Sequence, residues 1–390
     1  VTAPRCIEPK TAPLTATIDR CRIEVNELIE HSKHQIGVNN FDFLRFLLAT
    51  LVVFSHSFPL ATGNENLEPL ARFTSGQVTL GSLAVDCFFV ISGYLISHSW
   101  NSRPEIWPFL RKRIRRIYPG FIAVALLDAF LISPLFSTSG FAAVPFNYVF
   151  EFAGQTARLL ESSPVPTFQD NPAAGVINGS LWSISYEFWC YIGVVFCGIL
   201  GLMRKPRVLL IATCLALIAS MLFNWFHLTP GGGWIGKVLG YPPLWARLLP
   251  YFLVGMSFYV LRTKVNLTAR GALICALLFA CASQIPYGLV CLLPILAGYV
   301  IFWFAFLPLG RLSRFSRRGD YSYGIYLYSF PIMQVIVFYF GTPYMSPMTL
   351  FALGWPASVL AAVASWHLLE SRFLRPKDRV AVLVPSLNAR

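Results

Sequence analysis

FDFLRFLLATLVVFSHSFPL, residues 41–60, is long and apolar enough to cross a bilayer, yet it carries Arg45 and His56. A span needs about 20 mostly apolar residues. An ionisable side chain in hydrocarbon costs about 2.5 kcal/mol or more, so such groups turn toward a protein interior or a wet cavity and mark function. Eleven steps of about 100° each end about 20° past three full turns, so both side chains lie on one helix face, roughly 16 Å apart along the axis. That face presents a fixed cation near one membrane surface and a titratable imidazole near the other. The plainer alternative is an arginine snorkelling at the lipid edge beside a satisfied core histidine.

The rest of the chain agrees with a membrane setting. Its 390 residues are 56% hydrophobic and 13% charged, with a mean hydropathy of +0.60; a soluble domain carries about 25% charged residues. Ten candidate spans are read at 41–60, 79–97, 117–137, 180–201, 206–226, 244–262, 268–285, 288–309, 321–341 and 348–369. An even number puts both termini on one side. Of the 31 Lys and Arg, 26 lie in the termini and in the alternate connections that share their side. Arg72, Arg158 and Lys237 lie in the opposite loops, and Arg45 and Arg247 fall within spans. The positive-inside rule then places both termini in the cytoplasm. The expectation is an all-α, polytopic membrane bundle of about ten helices. The net charge of +13 orients the chain against anionic headgroups and requires no nucleic acid partner.

Residues 1–40 lack the apolar core and cleavage site of a signal peptide and are read as a cytoplasmic extension. Within them, 18–38 is mixed-charge and suits either an amphipathic helix or a disordered tail. The membrane domain runs over 41–376, and 377–390 is a cytoplasmic tail. The long loop 138–179 contains an apolar stretch, VPFNYVFEFAGQTARLL at 144–160, which suits a re-entrant or interface-lying helix. Most of the nine cysteines sit in apolar runs, with no CxxC pair and no zinc spacing, and are read as small buried hydrophobes. No metal is expected.

Four further groups carry candidate chemistry. Asp86 lies in the outer half of the second span, as a partner for His56 or for an arginine. The Ser92-Gly93 pair in the same span offers a close-packing point. Five of the six residues Arg111–Arg116 are cationic; topological anchoring accounts for about half of them. Arg113 and Arg116, at i and i+3, share a face and suit the phosphates of a bulky anionic donor such as coenzyme A. Glu187 lies about one and a half turns into the fourth span, where a carboxylate near an imidazole orients its tautomer or raises its pKa. Asp128 and Arg247 are two more charges within spans, suited to pair with each other. Of the tyrosines in the ninth segment, Tyr321 and Tyr323 read as interface-belt residues, while Tyr326 and Tyr328 read as belt or lining residues. No P-loop, HExxH or GxSxG motif is present.

The Arg45-x10-His56 pair, VDCFFVISGYLI (85–96), RxxRIYP (113–119), SLWSISYEFWCY (180–191), SYGIYLYSFP (322–331) and the terminal LLESRFLRP (368–376) occur in this order. The chain thereby resembles the acyltransferase-3 family of integral membrane O-acyltransferases, over about 41–376. The resemblance implies ten helices in a bacterial cytoplasmic membrane. It also implies an acyl-coenzyme A donor, often acetyl-CoA, and a carbohydrate or glycolipid acceptor. Arg45 and His56 would be the essential pair, Arg113 and Arg116 would serve the donor, and Glu187 matches a motif acid. Many members carry His where this chain has Ser329.

On this reading acyl-CoA is a substrate and no cofactor is permanently bound. Acyl transfer to an alcohol needs a base, an oxyanion stabiliser and a held thioester. His56 is the candidate base or transient acyl carrier, Arg45 the stabiliser or donor clamp, and Asp86 or Glu187 the group that orients His56. The rival reading is a proton-coupled secondary transporter or flippase, which also needs many spans and buried charges.

Overall fold

The computed structural model describes residues 39–374, apart from 232, 311 and 342–344. The amphipathic segment at 18–38 and the tail from 377 lie outside the described residues. Among the described residues eleven helices of ten residues or more organise the fold: α1 (Phe41–Thr62), α2 (Leu80–Ser102), α3 (Ile106–Leu135), α4 (Tyr148–Ala157), α5 (Trp182–Ile199), α6 (Pro206–Trp225), α7 (Pro242–Val260), α8 (Ala269–Ala282), α9 (Gly288–Ala305), α10 (Ser322–Phe340) and α11 (Pro347–Phe373). Among the described residues no strand occurs.

Eight of these helices are long and apolar enough to cross a membrane: α1, α2, α3, α5, α6, α9, α10 and α11. The other two expected spans coincide with α7 and α8. The 19 residues of α7 include Arg247 and three prolines, which lower its hydropathy. Only 14 residues make up α8, and at 1.5 Å per residue that falls short of a hydrocarbon core about 30 Å thick. The apolar stretch at 144–160 forms the ten-residue α4, whose Phe150 is 77% exposed beside Phe146 at 98%.

Local chemistry sets the helix ends. Asn40 precedes α1 and donates its side-chain amide to the carbonyls of Phe304 and Leu307, which ties the start of α1 to the end of α9. Thr79 and Ser82 form a reciprocal capping box at the start of α2, satisfying donors that a helix N-terminus leaves open. Gly63 ends α1 with φ 73°, a conformation glycine adopts without a Cβ penalty.

The bundle centres on α2, whose apolar window is 72% buried, while α6 is 17% buried and turns most of its surface outward. Such an outward apolar face suits lipid. Against α2 lies α7, at a crossing where both backbones touch. A Cβ on Gly93 would strike the Phe252 carbonyl, and one on Gly255 would strike the Val90 carbonyl. The close-packing point read at Ser92-Gly93 is therefore the α2–α7 contact. On the other side of α1, Gly324 of α10 meets Ala362 of α11.

Three expectations change. Asp128 and Arg247 do not pair with each other. A π turn at Asp128–Ile132 within α3 turns Asp128 inward, where it accepts from the Asn178 amide at 2.9 Å, and Arg247 binds Asp86 instead. Tyr323 is not a belt residue: it is half-buried and donates to the Ile117 carbonyl at 2.8 Å. Of the free cysteines, Cys87 and Cys190 are buried but Cys214 and Cys281 are exposed, because α6 and α8 face outward.

Candidate active site

At the end of the bundle where α1 and α3 begin, a cavity of about 320 Å³ opens between α1, α2, α3, α5 and α10. Its walls include Arg45, Arg113, Arg116, Glu187, Tyr191 and Tyr326. Each residue reaches it through helix geometry. Arg45 lies one turn into α1. Arg113 and Arg116, three residues apart, both turn inward, whereas Arg111 and Lys112 are exposed. The spacing argument for Arg113 and Arg116 thus holds.

The cations are held by rings and by one carboxylate. The Arg113 guanidinium stacks on Phe109 at 4.4 Å, and that of Arg116 lies over Tyr323 at 5.5 Å. Arg116 also binds Asp320 Oδ2 at 2.5 Å, and Arg45 binds the same oxygen at 3.2 Å. The second oxygen of Asp320 accepts from the backbone N–H and hydroxyl of Ser322, where α10 begins. Burial alone would raise the Asp320 pKa, but the two guanidiniums outweigh it and hold the carboxyl well below the usual range. Deeper in, Glu187 accepts from Ser92 at 3.1 Å and from the Tyr191 hydroxyl. The cavity wall therefore brings three guanidiniums together with the Glu187 carboxylate, and Asp320 holds two of those guanidiniums.

Arg45 and His56 both turn toward α10, as their spacing predicts: Arg45 meets Asp320 just before that helix, and His56 meets Phe330 within it. The rings of His56 and Phe330 are 5.1 Å apart and nearly perpendicular. His56 Nδ1 is buried with no hydrogen-bond partner among the described residues. His56 does not line the Arg45 cavity. Phe88, which does line it, packs against the hydrophobic cluster that includes Phe330. Phe330 in turn covers Gly179, leaving no room there for a Cβ.

Glu187 is thus gathered with Arg45, Arg113 and Arg116. Asp86 is bound to Arg247 at 3.1 Å, the arginine partner among the two options read for it. Ser329 is fully buried and its hydroxyl has no partner among the described residues. Sequence reasoning missed Asp320, Tyr191 and Tyr323. A signal for Asp320 existed: it is an acid in an otherwise basic connection, two residues before a serine that opens a helix, a position where carboxylates cap.

A polytopic helical bundle with a cationic cavity set among its helices is the architecture of a membrane enzyme or carrier. Comparison with known proteins narrows it. Residues 38–367 match the family model described as an acyltransferase domain. The chain is 28% identical to the O-acetyl transferase of Shigella phage Sf6, over 86% of this chain and 96% of that protein. It is 26% identical to Nodulation protein 10 of Rhizobium leguminosarum bv. viciae, over 85% and 92% of the two chains. A shorter stretch, 29% of this chain and 27% of the other, is 31% identical to Acyltransferase MdmB of Streptomyces mycarofaciens. No solved structure matches. The chain belongs to the acyltransferase-3 family and is a multi-pass membrane O-acyltransferase.

Proposed function

We propose that the protein transfers an acetyl group from acetyl-coenzyme A to a sugar hydroxyl of a cell-surface or secreted glycan, from a bacterial cytoplasmic membrane with the Arg45 cavity open to the cytoplasm. The observation that carries this reading is the convergence of Arg45, Arg113 and Arg116 on one cavity at the basic end of the bundle. A donor with several phosphates needs such a surface, and the relatives named for O-acetyl transfer and nodulation suit an acetyl group and a glycan.

Arg113 and Arg116 bind the phosphates at the mouth. Arg45, fixed by Asp320, binds the donor beside them and holds its thioester arm pointing inward toward His56. His56 removes the proton from the acceptor hydroxyl. The oxygen attacks the thioester carbon, the tetrahedral intermediate collapses, the C–S bond breaks, and the imidazolium returns the proton to the departing thiolate. The Arg45 cavity stops short of His56, so side chains between them must move for the acyl carbon to reach the imidazole. Glu187 positions the arginine side of the cavity, and Asp86 acts through Arg247.

The test is release of free thiol from acetyl-CoA by the purified protein in nanodiscs, with a glycan acceptor present. His56→Ala should lower it about 10²- to 10⁴-fold while the protein still inserts and melts as the wild type does. Full activity of His56→Ala overturns the assignment of the base. Movement of substrate with no thiol release would instead favour transport.

A further inference from the structure

The hydroxyls that line the Arg45 cavity fall into two groups. Ser92 and Tyr191 donate to Glu187, Ser322 donates to Asp320, and Tyr323 donates to the Ile117 carbonyl. Each of these has its O–H engaged by an acceptor of the protein, and a hydroxyl has only one to give. The other two, Ser183 of α5 and Tyr326 of α10, bond to each other at 2.7 Å. Both are buried, and among the described residues neither hydroxyl has another hydrogen-bond partner. Two O–H groups share one hydrogen bond, so one hydrogen is left over. A buried donor without an acceptor is unfavourable, and an occupant of the cavity can supply the acceptor.

The sequence positions of the pair set it near the imidazole. Tyr326 comes four residues before Phe330, whose ring packs on His56. Ser183 comes four residues after Gly179, which the same ring covers. The pair therefore lies about one helical turn from the Phe330–His56 contact, roughly 6 Å along the α10 axis. Two hydrogen bonds of about 2.8 Å, one on each side of a reacting carbonyl, are on the scale of that gap. Arg45, by contrast, lies roughly 16 Å from His56 along α1 and is tied to Asp320.

Resting on the acyl transfer proposed above, we infer that the Tyr326 hydroxyl stabilises the oxyanion of the tetrahedral intermediate and that Ser183 positions it. When the acceptor oxygen bonds to the thioester carbon, the C=O electron pair moves onto the carbonyl oxygen. The Tyr326 O–H donates a hydrogen bond to that oxygen and keeps its proton. Collapse returns the electron pair to the C=O bond and expels the thiolate, which takes its proton from the His56 imidazolium. Tyr326 is the member that meets substrate because a phenol is more acidic than an alkyl hydroxyl and so the stronger donor. Ser183 donates to the phenol oxygen, which fixes the direction of the Tyr326 O–H and strengthens it as a donor.

The test is thiol release from acetyl-CoA by the purified protein in nanodiscs, with glycan extracted from a strain lacking this protein as the acceptor. Tyr326→Phe keeps the ring that packs 6.2 Å from Phe88 and removes only the oxygen. It should lower kcat about 10²- to 10³-fold and leave KM for acetyl-CoA within about twofold, because the bond forms only in the transition state. Ser183→Ala should lower kcat about 10-fold at the same KM, and should add nothing when combined with Tyr326→Phe, since it acts through that hydroxyl. A merely structural hydrogen bond would instead lower the melting temperature and leave kcat per folded molecule unchanged. Full kcat in Tyr326→Phe, a loss carried by KM, or a double variant that multiplies the two losses overturns the assignment. Should Tyr326→Phe not fold, unchanged kcat in Ser183→Ala overturns it. A wild type that releases no thiol overturns the acyl-transfer reading itself, and this assignment with it, so the two failures are distinct.

Discussion

Arg45 and Arg116, from two different helices, share one oxygen of Asp320, at 3.2 and 2.5 Å. The carboxylate sits just ahead of α10 and binds α1, α3 and α10 together beside the Arg45 cavity. It also keeps two guanidiniums from repelling each other. Asp320→Ala strands two largely buried cations, and breaking such a pair costs about 3–5 kcal/mol. A thermal-melt comparison should show a large loss of stability for Asp320→Ala. Because the folded pKa of Asp320 is lowered, its contribution is present above the unfolded value of about 3.9 and vanishes only as pH falls below it. The difference between wild type and variant should therefore be flat from neutral pH down to about 5.

Arg113 and Arg116 differ in what holds them. Arg113 stacks on Phe109, while Arg116 is tied to Asp320. Arg113→Ala should raise KM for acetyl-CoA about 10- to 150-fold, the equivalent of one charge-assisted hydrogen bond, and leave the melting temperature nearly unchanged. Arg116→Ala should raise KM and also lower the melting temperature. Equal effects of both variants on stability would contradict this division.

The α2–α7 crossing predicts a graded glycine series. Gly93→Ala and Gly255→Ala drive a Cβ into backbone carbonyls that cannot turn away, so each should destabilise by about 1–3 kcal/mol or more. At Gly81 a Cβ would meet the Cβ and the hydroxyl of Ser55, each at 2.9 Å, against 2.1 Å to a carbonyl oxygen at Gly93 and at Gly255, so Gly81→Ala should be milder. Because Arg247 is carried on α7, the Gly93 and Gly255 variants should also disturb the Asp86–Arg247 pair. Denaturation midpoints in detergent rank the three.

Glu161, in the loop after α4, accepts the Asn178 N–H at 2.8 Å, and burial raises its pKa to about 7. A carboxyl whose folded pKa exceeds its unfolded value of about 4.3 binds more protons when folded, so stability rises as pH falls from about 7 toward 4.3. Solvent screening trims the effect to about 1–2 kcal/mol. Glu161→Gln should abolish that part of the pH dependence, read from melting temperatures across pH 5 to 8.

What sequence and structure each decided follows from how far each force reaches. Apolar runs, charge alternation and the eleven-residue spacing of Arg45 and His56 are properties of the chain itself. They specified a helical membrane bundle, the turning of both residues toward one neighbour, and the inward face shared by Arg113 and Arg116. Ion-pair partners are not such properties. Asp86 met Arg247, 161 positions away, and Asp320 met Arg45 and Arg116, because helices distant in sequence pack side by side. Tertiary packing also decided that Glu187 sides with Arg45 and that His56 packs on Phe330 outside the Arg45 cavity. A charge buried by folding takes whichever opposite charge the neighbouring helix presents, and no local pattern encodes which helix that is.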